Sequence, residues 1–342
     1  MVLTGTSFSD CWHLTGPTAS GKTKVGLELA ERLHAEIISL DSMAVYRGLD
    51  IGTAKPTDTE RGRVPHHLID ICSPAEAFSV AQYRDAARRA VDDIRRRGRQ
   101  VLFVGGTPMY LKALLRGLFD GPPADWELRK QLLAEAEQQG PRTLYERLAA
   151  IDPRAASRLH ENDTRRVVRA LEVFQSTGRS IVDWQTQWDA SVPHVEAVAS
   201  GQVDAATVER AQQTDESRAA ASRVFVLSWP REVLYTRIDA RVQAMFASGL
   251  VDEVRALLAT GQELGRTARQ ALGYREVLEH LEGQRDLPAT IELVARRTRN
   301  FAKRQLTWFR SFPECHWVDL DESRDVVAVA AAILAADQAL PG

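Results

Sequence analysis

Residues 16–23 read GPTASGKT, and the prediction of the fold starts from these eight residues. The stretch matches the pattern G-x-x-x-x-G-K-[ST], in which the glycines let backbone amides curl around a phosphate group. A short apolar run, residues 11–15, precedes it, and Val25, Leu29 and Leu33 follow it at helical spacing. The stretch therefore predicts a strand, a phosphate-binding loop and a helix, in that order.

The eight residues of this phosphate-binding loop are candidate ligands of a polyphosphate and Mg²⁺. The loop amides and the helix N-terminus supply partial positive charge, Lys22 neutralises terminal phosphate oxygens, and the Thr23 hydroxyl binds Mg²⁺. The candidates are Gly16, Pro17, Thr18, Ala19, Ser20, Gly21, Lys22 and Thr23. A glycine-rich turn that binds nothing is the alternative, which the agreement of motif and setting disfavours. Such loops are common in ATP-binding and other nucleotide-binding proteins, so the motif alone identifies neither the polyphosphate nor the reaction.

Further apolar runs alternate with helical patterns along the chain, which is typical of an α/β protein with a mostly parallel sheet. Ser79 and Gln82 form a capping-box pattern that predicts the start of one helix, and Gly98 predicts its end. The remaining predicted strands are residues 36–40, 68–72, 101–104, 223–228 and 317–320.

The alternation stops after Gly121-Pro122-Pro123. Only helical patterns follow as far as about residue 187, and residues 191–222 are rich in Ala, Ser and Gln, which predicts a loosely packed or disordered insertion. We therefore predict a loose tail over residues 1–10, an α/β core over 11–121 and 223–342, and an inserted helical lobe over 122–222.

Composition excludes several classes of protein. With 44% apolar and 26% charged residues, the 342-residue chain is not a wholly disordered protein. Its net charge of −2 excludes a uniformly basic protein, so a nucleic-acid partner needs a local basic surface. Its three cysteines form no CxxC pair, and no apolar run approaches the ~18 residues of a membrane span. Because the N-terminus also lacks the features of a signal peptide, we expect a soluble cytoplasmic protein.

Polar residues follow two other predicted strands. Asp41 and Ser42 follow one, and Gly105-Gly106-Thr107 follow another. Ligands of parallel sheets bind beyond the carboxyl ends of the strands, so Asp41 and Thr107 are expected near the phosphate-binding loop. Asp41 is a candidate general base or Mg²⁺ ligand, with a turn or helix cap as the alternative. Asp70 competes with it for an acidic role, and the two glycines indicate either close approach to a ligand or a plain strand-to-helix turn.

Basic residues cluster in three places. Residues 296–310 contain six basic residues and no acidic one, and this one-signed helix face predicts contact with a polyanion, a solvated face being the alternative. Arg165, Arg166 and Arg169 share a helix face in the lobe. A predicted turn at Gly273-Tyr274-Arg275 combines a ring for stacking with a cation, which suits single-stranded RNA.

Together these motifs resemble the tRNA dimethylallyltransferases, also called tRNA isopentenyltransferases. The resemblance covers about residues 11–190 and 223–320. The DSMAVYRGLDIGTAKP stretch beside the phosphate-binding loop is highly specific, because ordinary P-loop kinases lack it. The matching stretches are GPTASGKT at 16–23, DSMAVYRGLDIGTAKP at 41–56, GGTPMYLKALLRG at 105–117, RRVVRALEV at 165–173, RIDARVQAMFASGLVDEV at 237–254, ALGYRE at 271–276 and AKRQLTWFR at 302–310.

The resemblance implies a P-loop-type parallel-sheet core with an inserted helical tRNA-binding lobe. It implies transfer of the dimethylallyl group from dimethylallyl diphosphate to the N6 amine of an adenine, with release of diphosphate. That adenine lies 3′ of the anticodon in tRNAs that read codons beginning with U. The loop would hold the diphosphate of the donor together with Mg²⁺, rather than ATP. The expected partner is the anticodon stem-loop of tRNA, bound by a monomer.

The resemblance also assigns roles to residues of this chain. Asp41 would be the general base, Thr107 would orient the acceptor, and Arg241 would contact the diphosphate. Residues 193–223 match nothing in the family pattern, and Pro108 stands where small or flexible residues are more usual. The implied tRNA contacts are Asp41, Ser42, Met43, Ala44, Thr107, Arg129, Arg165, Arg166, Val167, Val168, Arg169, Gly273, Tyr274 and Arg275.

Three other functions stay open on the residues alone. A P-loop kinase of small molecules or nucleosides would consume ATP, and a prenyltransferase acting on free nucleotide would need neither a helical lobe nor a basic helix. An RNA-binding module without catalysis would not need Asp41 and Thr107 beside an intact phosphate-binding loop.

Overall fold

The computed structural model describes residue 8 and residues 10–117, 121–122, 124–184 and 221–340. The described residues form two compact units, one within Met1–Leu115 and Glu216–Gly342 and the other within Arg116–Asp215. Most of the predicted N-terminal tail and of residues 191–222 lie outside the described residues. Phe8, within the predicted tail, is buried and packs edge-on against Phe103.

The first unit is built on a six-stranded sheet in which every neighbouring pair of strands is parallel. The order is β3-β2-β4-β1-β5-β6, so the strand before the phosphate-binding loop is central. This sheet confirms the predicted α/β fold. The strands are β1 Trp12–Thr15, β2 Ala35–Ser39, β3 His66–His67, β4 Gln100–Val104, β5 Val224–Ser228 and β6 Cys315–Asp319.

The helices, numbered in chain order, begin with the one that follows the phosphate-binding loop. They are α1 Lys22–Leu33, α2 Asp58–Arg63, α3 Val80–Arg96, α4 Pro108–Arg116, α5 Trp126–Gln139, α6 Pro141–Ile151, α7 Pro153–Ala156, α8 Thr164–Thr177, α9 Ile181–Trp184, α10 Arg231–Ala247, α11 Leu250–Ala259, α12 Arg266–Arg269, α13 Tyr274–Leu281, α14 Leu287–Arg310 and α15 Val326–Gln338. The predicted capping box opens α3, where Ser79 and Gln82 bond to each other's backbone amides.

Successive side chains of each strand enter opposite faces of the sheet. Phe103 and Val226 belong to a cluster that includes α3, whereas Leu102 and Phe225 belong to a cluster that includes α1 and α15. Because both faces are covered by helices, the strands read as continuous apolar runs, which is why the sequence located most of them.

The strand predicted at residues 68–72 is wrong. Leu68 and Asp70 have φ angles of 60° and 59°, in the left-handed region that an extended strand does not use. Cys72 makes only an isolated bridge with Tyr46. The turn carries the Asp70 carboxylate to Lys55 and to Arg61, so this acid is an ion-paired anchor rather than a rival of Asp41.

Every secondary-structure element assigned within the second unit is helical, and α5 to α9 all belong to it. Leu132, Leu144, Leu148 and Leu171 form the centre of its core. No helix in the described parts of the chain is both long and apolar enough to cross a membrane.

Candidate active site

The phosphate-binding loop connects β1 to α1 through backbone conformations that require glycine at two positions. Gly16 has φ 143°, and a Cβ atom there would lie 2.8 Å from the carbonyl oxygen of Leu227. Gly21 has φ 93° and immediately precedes the first residue of α1. Ser20 to Thr23 therefore stand at a helix N-terminus, where amides and the helix dipole favour an anion.

Two cationic side chains lie close together at this loop, those of Lys22 and Arg241. Lys22 Nζ donates to the carbonyl oxygen of Pro17 at 2.6 Å. Burial, reinforced by the charge of Arg241, lowers the pKa of Lys22 to about 7, and the Asp41 carboxylate partly opposes this effect. Burial also lowers the pKa of Arg241, which contacts the carbonyl oxygen of Thr53. Two cations near one carboxylate leave an excess of positive charge, which an anionic ligand would stabilise.

Asp41 follows β2 and uses its two carboxylate oxygens differently. Oδ1 accepts hydrogen bonds from the amides of Met43 at 2.8 Å and Ala44 at 3.4 Å, so it caps the turn formed by residues 41–44. Oδ2 has no hydrogen-bond partner among the residues that the structure describes. Oδ1 of Asp41 therefore caps the turn, as the alternative interpretation predicted, and Oδ2 can still accept a proton.

Thr107 lies directly beside this turn. Its Oγ1 accepts a hydrogen bond from the Ser42 amide at 3.0 Å and donates to Ser42 Oγ at 3.4 Å. Its own amide donates to the carbonyl oxygen of Leu40 at 3.1 Å. The chain ends of β2 and β4 thus bring Asp41 and Thr107 together, as the strand pattern predicted.

Gly105 allows its own backbone to pack closely against the backbone of Leu40. A Cβ atom at this position would lie 2.2 Å from the carbonyl oxygen of Leu40. The glycine is therefore required by the packing of the turn at residues 105–107 against β2, whether or not a ligand is bound.

Sequence reasoning missed three residues that hold the phosphate-binding loop from outside. The Trp229 indole donates to the carbonyl oxygen of Ser20 at 3.0 Å, and Arg237 Nε donates to that of Ala19 at 3.0 Å. Gln305 Oε1 accepts from the Thr18 amide, also at 3.0 Å. Arg237 and Gln305 lie within stretches that match the family, and this match is the sequence feature that could have identified them. Trp229 lies outside every matching stretch.

The prediction that the Tyr274 ring stacks on RNA is wrong. The ring is fully buried, and its hydroxyl donates to Glu253 at 2.5 Å. Gly273 is also buried and lies in a turn, but the turn ends there because α13 begins at Tyr274. Arg275 is exposed and bonds to Glu279 on the same helix at 3.0 Å.

The predicted tRNA contacts of the second unit divide into exposed and buried side chains. Arg165 and Arg166 are exposed in the first turn of α8. Val167 and Val168 are buried in the core, so their side chains do not reach the surface, and their place along the tRNA path stays a prediction.

Arg129 and Arg169 both bond to Glu172, a fully buried carboxylate of α8. Glu172 Oε2 accepts from Arg129 Nε at 2.9 Å and from Arg169 at 2.7 Å. Arg169 also donates to the carbonyl oxygen of Pro122 at 2.8 Å. The two arginines therefore compensate a buried charge and hold the unit together.

A parallel sheet whose central strand enters a G-x-x-x-x-G-K-T loop and then a helix defines a P-loop α/β protein. The model of the IPP transferase family matches residues 44–312. The chain belongs to this family, which confirms the resemblance seen in its motifs.

Curated relatives and solved structures agree with this membership. The chain is 44% identical over 319 residues to tRNA dimethylallyltransferase 1 of Trichlorobacter lovleyi, covering 93% of this chain and 96% of that protein. It is 45% identical over 304 residues to the tRNA dimethylallyltransferase of Geobacter metallireducens, covering 89% and 90%.

Among solved structures, the tRNA isopentenylpyrophosphate transferase of Bacillus halodurans matches with a TM-score of 0.64 and 37% identity, covering 97% of each chain. A eukaryotic dimethylallyltransferase acting on tRNA matches with a TM-score of 0.69 and 26% identity, covering 94% of this chain and 77% of that one.

Proposed function

We propose that this protein is a tRNA dimethylallyltransferase. It transfers the dimethylallyl group of dimethylallyl diphosphate to the N6 amine of the adenine 3′ of the anticodon, in tRNAs that read codons beginning with U, and releases diphosphate. Family membership supports the reaction. The observation that carries the site assignment is the contact of Thr107 Oγ1 with the Ser42 amide, which holds a hydroxyl beside Asp41 near the phosphate-binding loop.

The leaving group is the part of the reaction that the loop serves. When the allylic C–O bond breaks, the diphosphate departs with the bonding electrons and its negative charge increases. The loop amides, Lys22 and Arg241 stabilise that charge. The Thr23 hydroxyl has no hydrogen-bond partner among the described residues, and a hydroxyl suits the oxygen preference of Mg²⁺, so Thr23 would hold this ion. Bound Mg²⁺ would supply further positive charge to the diphosphate.

The acceptor is an exocyclic adenine amine, which is a poor nucleophile. Its nitrogen forms the new C–N bond, and its proton passes to Asp41 Oδ2, the carboxylate oxygen with no hydrogen-bond partner in the described structure. Thr107 orients the acceptor through its hydroxyl. The adenine must leave its stack to reach these groups, as it does for other enzymes that act on bases.

Each unit of the chain contributes candidate tRNA contacts of its own. The backbone of Ser42, Met43 and Ala44 lies beside the reacting groups, and the exposed Arg165, Arg166 and Arg275 are suited to phosphates. We place the reaction in the cytoplasm and expect the protein to act as a monomer.

Transfer of radiolabel from dimethylallyl diphosphate, in the presence of Mg²⁺, to an unmodified tRNA transcript tests this function directly. The matched control is the same transcript with the acceptor adenine replaced. Label on the first transcript and not on the second supports the proposal. Label on neither transcript overturns it; ATP turnover with a nucleoside would then favour a kinase, and label on free AMP a nucleotide prenyltransferase.

A further inference from the structure

Gln305 of α14 connects two parts of the site that are far apart in sequence. Its Oε1 accepts from the Thr18 amide of the phosphate-binding loop at 3.0 Å, and its Nε2 donates to the carbonyl oxygen of Gly106 at 2.5 Å. The side chain is 4% exposed. A buried amide whose two ends each bond to backbone of a different segment fixes the spacing of those segments.

The orientation of this amide follows from its partners. A backbone N–H can only donate and a backbone carbonyl can only accept, so the Gln305 oxygen must face Thr18 and its nitrogen must face Gly106. The contact with Gly106 is buried and the contact with Thr18 is partly buried, so loss of the amide leaves the Gly106 carbonyl without its buried donor and removes the restraint on the Thr18 amide.

The two hydrogen bonds of Gln305 form a bridge between Thr18 and Gly106, and the Gly106 end lies next to residues assigned to the reaction. Gly106 precedes Thr107, whose Oγ1 accepts from the Ser42 amide next to Asp41. One end of Gln305 therefore meets the loop assigned to the leaving group, and the other meets the turn assigned to the acceptor. Gln305 itself contacts neither reacting group.

We propose that Gln305 is a positioning residue, which sets the distance between the phosphate-binding loop and the turn at residues 105–107 so that the allylic carbon meets the adenine amine. This inference rests on the proposed function. Small errors of alignment between reacting atoms reduce turnover strongly. Trp229 and Arg237 still hold the part of the loop next to α1 when Gln305 is replaced, so the amides there keep their affinity for the diphosphate.

Gln305→Met tests the proposal because it keeps the length of the side chain and removes both hydrogen bonds. We expect kcat to fall at least about tenfold, while the Kd of inorganic pyrophosphate, measured by calorimetry with Mg²⁺, stays within about threefold. Thr298→Val is the matched control, since Thr298 lies on the same buried face of α14 and loses only a bond within the helix. Its kcat should equal that of the wild type.

Gln305→Glu adds a readout that a merely structural residue would not give. The carboxylate still accepts from Thr18 but cannot donate to Gly106, whereas the protonated acid can do both. Burial at this position disfavours the charged carboxylate, so the activity of this variant relative to the wild type should rise as the pH is lowered.

Gly106→Ala tests the same contact by changing the residue that accepts the hydrogen bond from Gln305. A Cβ atom at Gly106 would lie 2.6 Å from Gln305 Nε2, so the substitution displaces the amide. Its loss of kcat should be smaller in a Gln305→Ala background than in the wild type, because the displaced amide is already absent and the closest contact left to the added Cβ is the Gly16 carbonyl, at 3.1 Å.

Three results would overturn the inference in an active wild type: an unchanged kcat for Gln305→Met, a loss of pyrophosphate affinity as large as the loss of kcat/KM, or a loss explained wholly by weaker tRNA binding. A wild type that transfers no label to tRNA would instead overturn the proposed function, and this inference with it.

Discussion

Tyr274 donates its hydroxyl proton to Glu253 across 2.5 Å, and the same carboxylate accepts hydrogen bonds from the amides of Asp50, Ile51 and Gly52. The Tyr274 ring lies so close to Gly52 that a Cβ atom there would come within 2.4 Å of it. Burial and the adjacent carboxylate raise the pKa of the Tyr274 hydroxyl, so it remains a donor. The pair fixes the segment that leads to Thr53, the contact of Arg241.

Tyr274→Phe should lower the free energy of unfolding by about 1–3 kcal/mol, because Glu253 loses a partly buried, charge-assisted hydrogen bond while the ring is kept. Urea unfolding measures the loss. Tyr235→Phe is the control, since the Tyr235 hydroxyl has no hydrogen-bond partner in the part of the chain that the structure describes. Equal losses in the two variants would contradict the assignment.

Asp41→Asn should reduce kcat by about 10²–10⁴-fold, because it removes a general base. Asparagine can keep the hydrogen bonds from Met43 and Ala44 through its oxygen, so the turn and the affinity for tRNA should change little. Single-turnover transfer and a separate binding assay distinguish these effects. The exposed Asp58→Asn should retain full activity, and normal turnover of Asp41→Asn would refute the role of base.

Changing Arg165 and Arg166 together to Gln should weaken tRNA binding and reduce the slope of log Kd against log salt by about 1.5–2, since two phosphate contacts are lost. The free energy of unfolding should change by less than about 1 kcal/mol, because both side chains are exposed and the ion pair of Arg166 with Asp163 lies at the surface. Arg169→Gln should instead lower the stability of the second unit, because Glu172 and the Pro122 carbonyl each lose a hydrogen-bond donor. Unchanged binding of the double variant would place the tRNA elsewhere.

His13 predicts acid sensitivity of the fold. Its imidazole is fully buried, and this burial lowers its pKa from 6.5 to about 4, although the backbone of Cys11 and Arg223 partly opposes the shift. Below pH 6.5 the unfolded chain binds a proton that the folded chain refuses, so stability present above pH 6.5 is lost as the pH falls toward 4.

The loss from His13 should reach about 1.6 kcal/mol between pH 6.5 and about pH 5. Urea unfolding at both values should show this loss in the wild type and a smaller one in His13→Leu. The exposed His34→Asn should keep the full loss. An identical pH dependence of His13→Leu and the wild type would be inconsistent with a buried neutral imidazole.

Local signals explain what the sequence could predict. The strand, loop and helix around residues 16–23 follow from motif and spacing, and Asp41 and Thr107 follow from their places after strands. Val167 and Val168 lie between arginines in a matching stretch, but as apolar residues of an amphipathic helix they face the core. The family pattern therefore identified the helix segment, but it did not distinguish the exposed side chains from the buried ones.

Long-range contacts explain what it could not predict. The left-handed turn at Leu68 and Asp70 accompanies ion pairs with Lys55 and Arg61, which apolar patterning does not reveal. Gln305 meets partners 287 and 199 residues away, so no local pattern distinguishes it from a surface glutamine. The burial of Tyr274 likewise depends on Glu253 and on Gly52.

The central place of β1 has a consequence for synthesis of the protein. β1 hydrogen-bonds to β4 on one side and to β5 on the other, and β5 begins only at Val224. A nascent chain that has not yet released residue 224 from the ribosome therefore exposes one edge of β1, next to the phosphate-binding loop. Unpaired strand edges promote aggregation. Truncated products ending before β5 should thus be insoluble or dependent on chaperones, even though they contain the complete phosphate-binding motif.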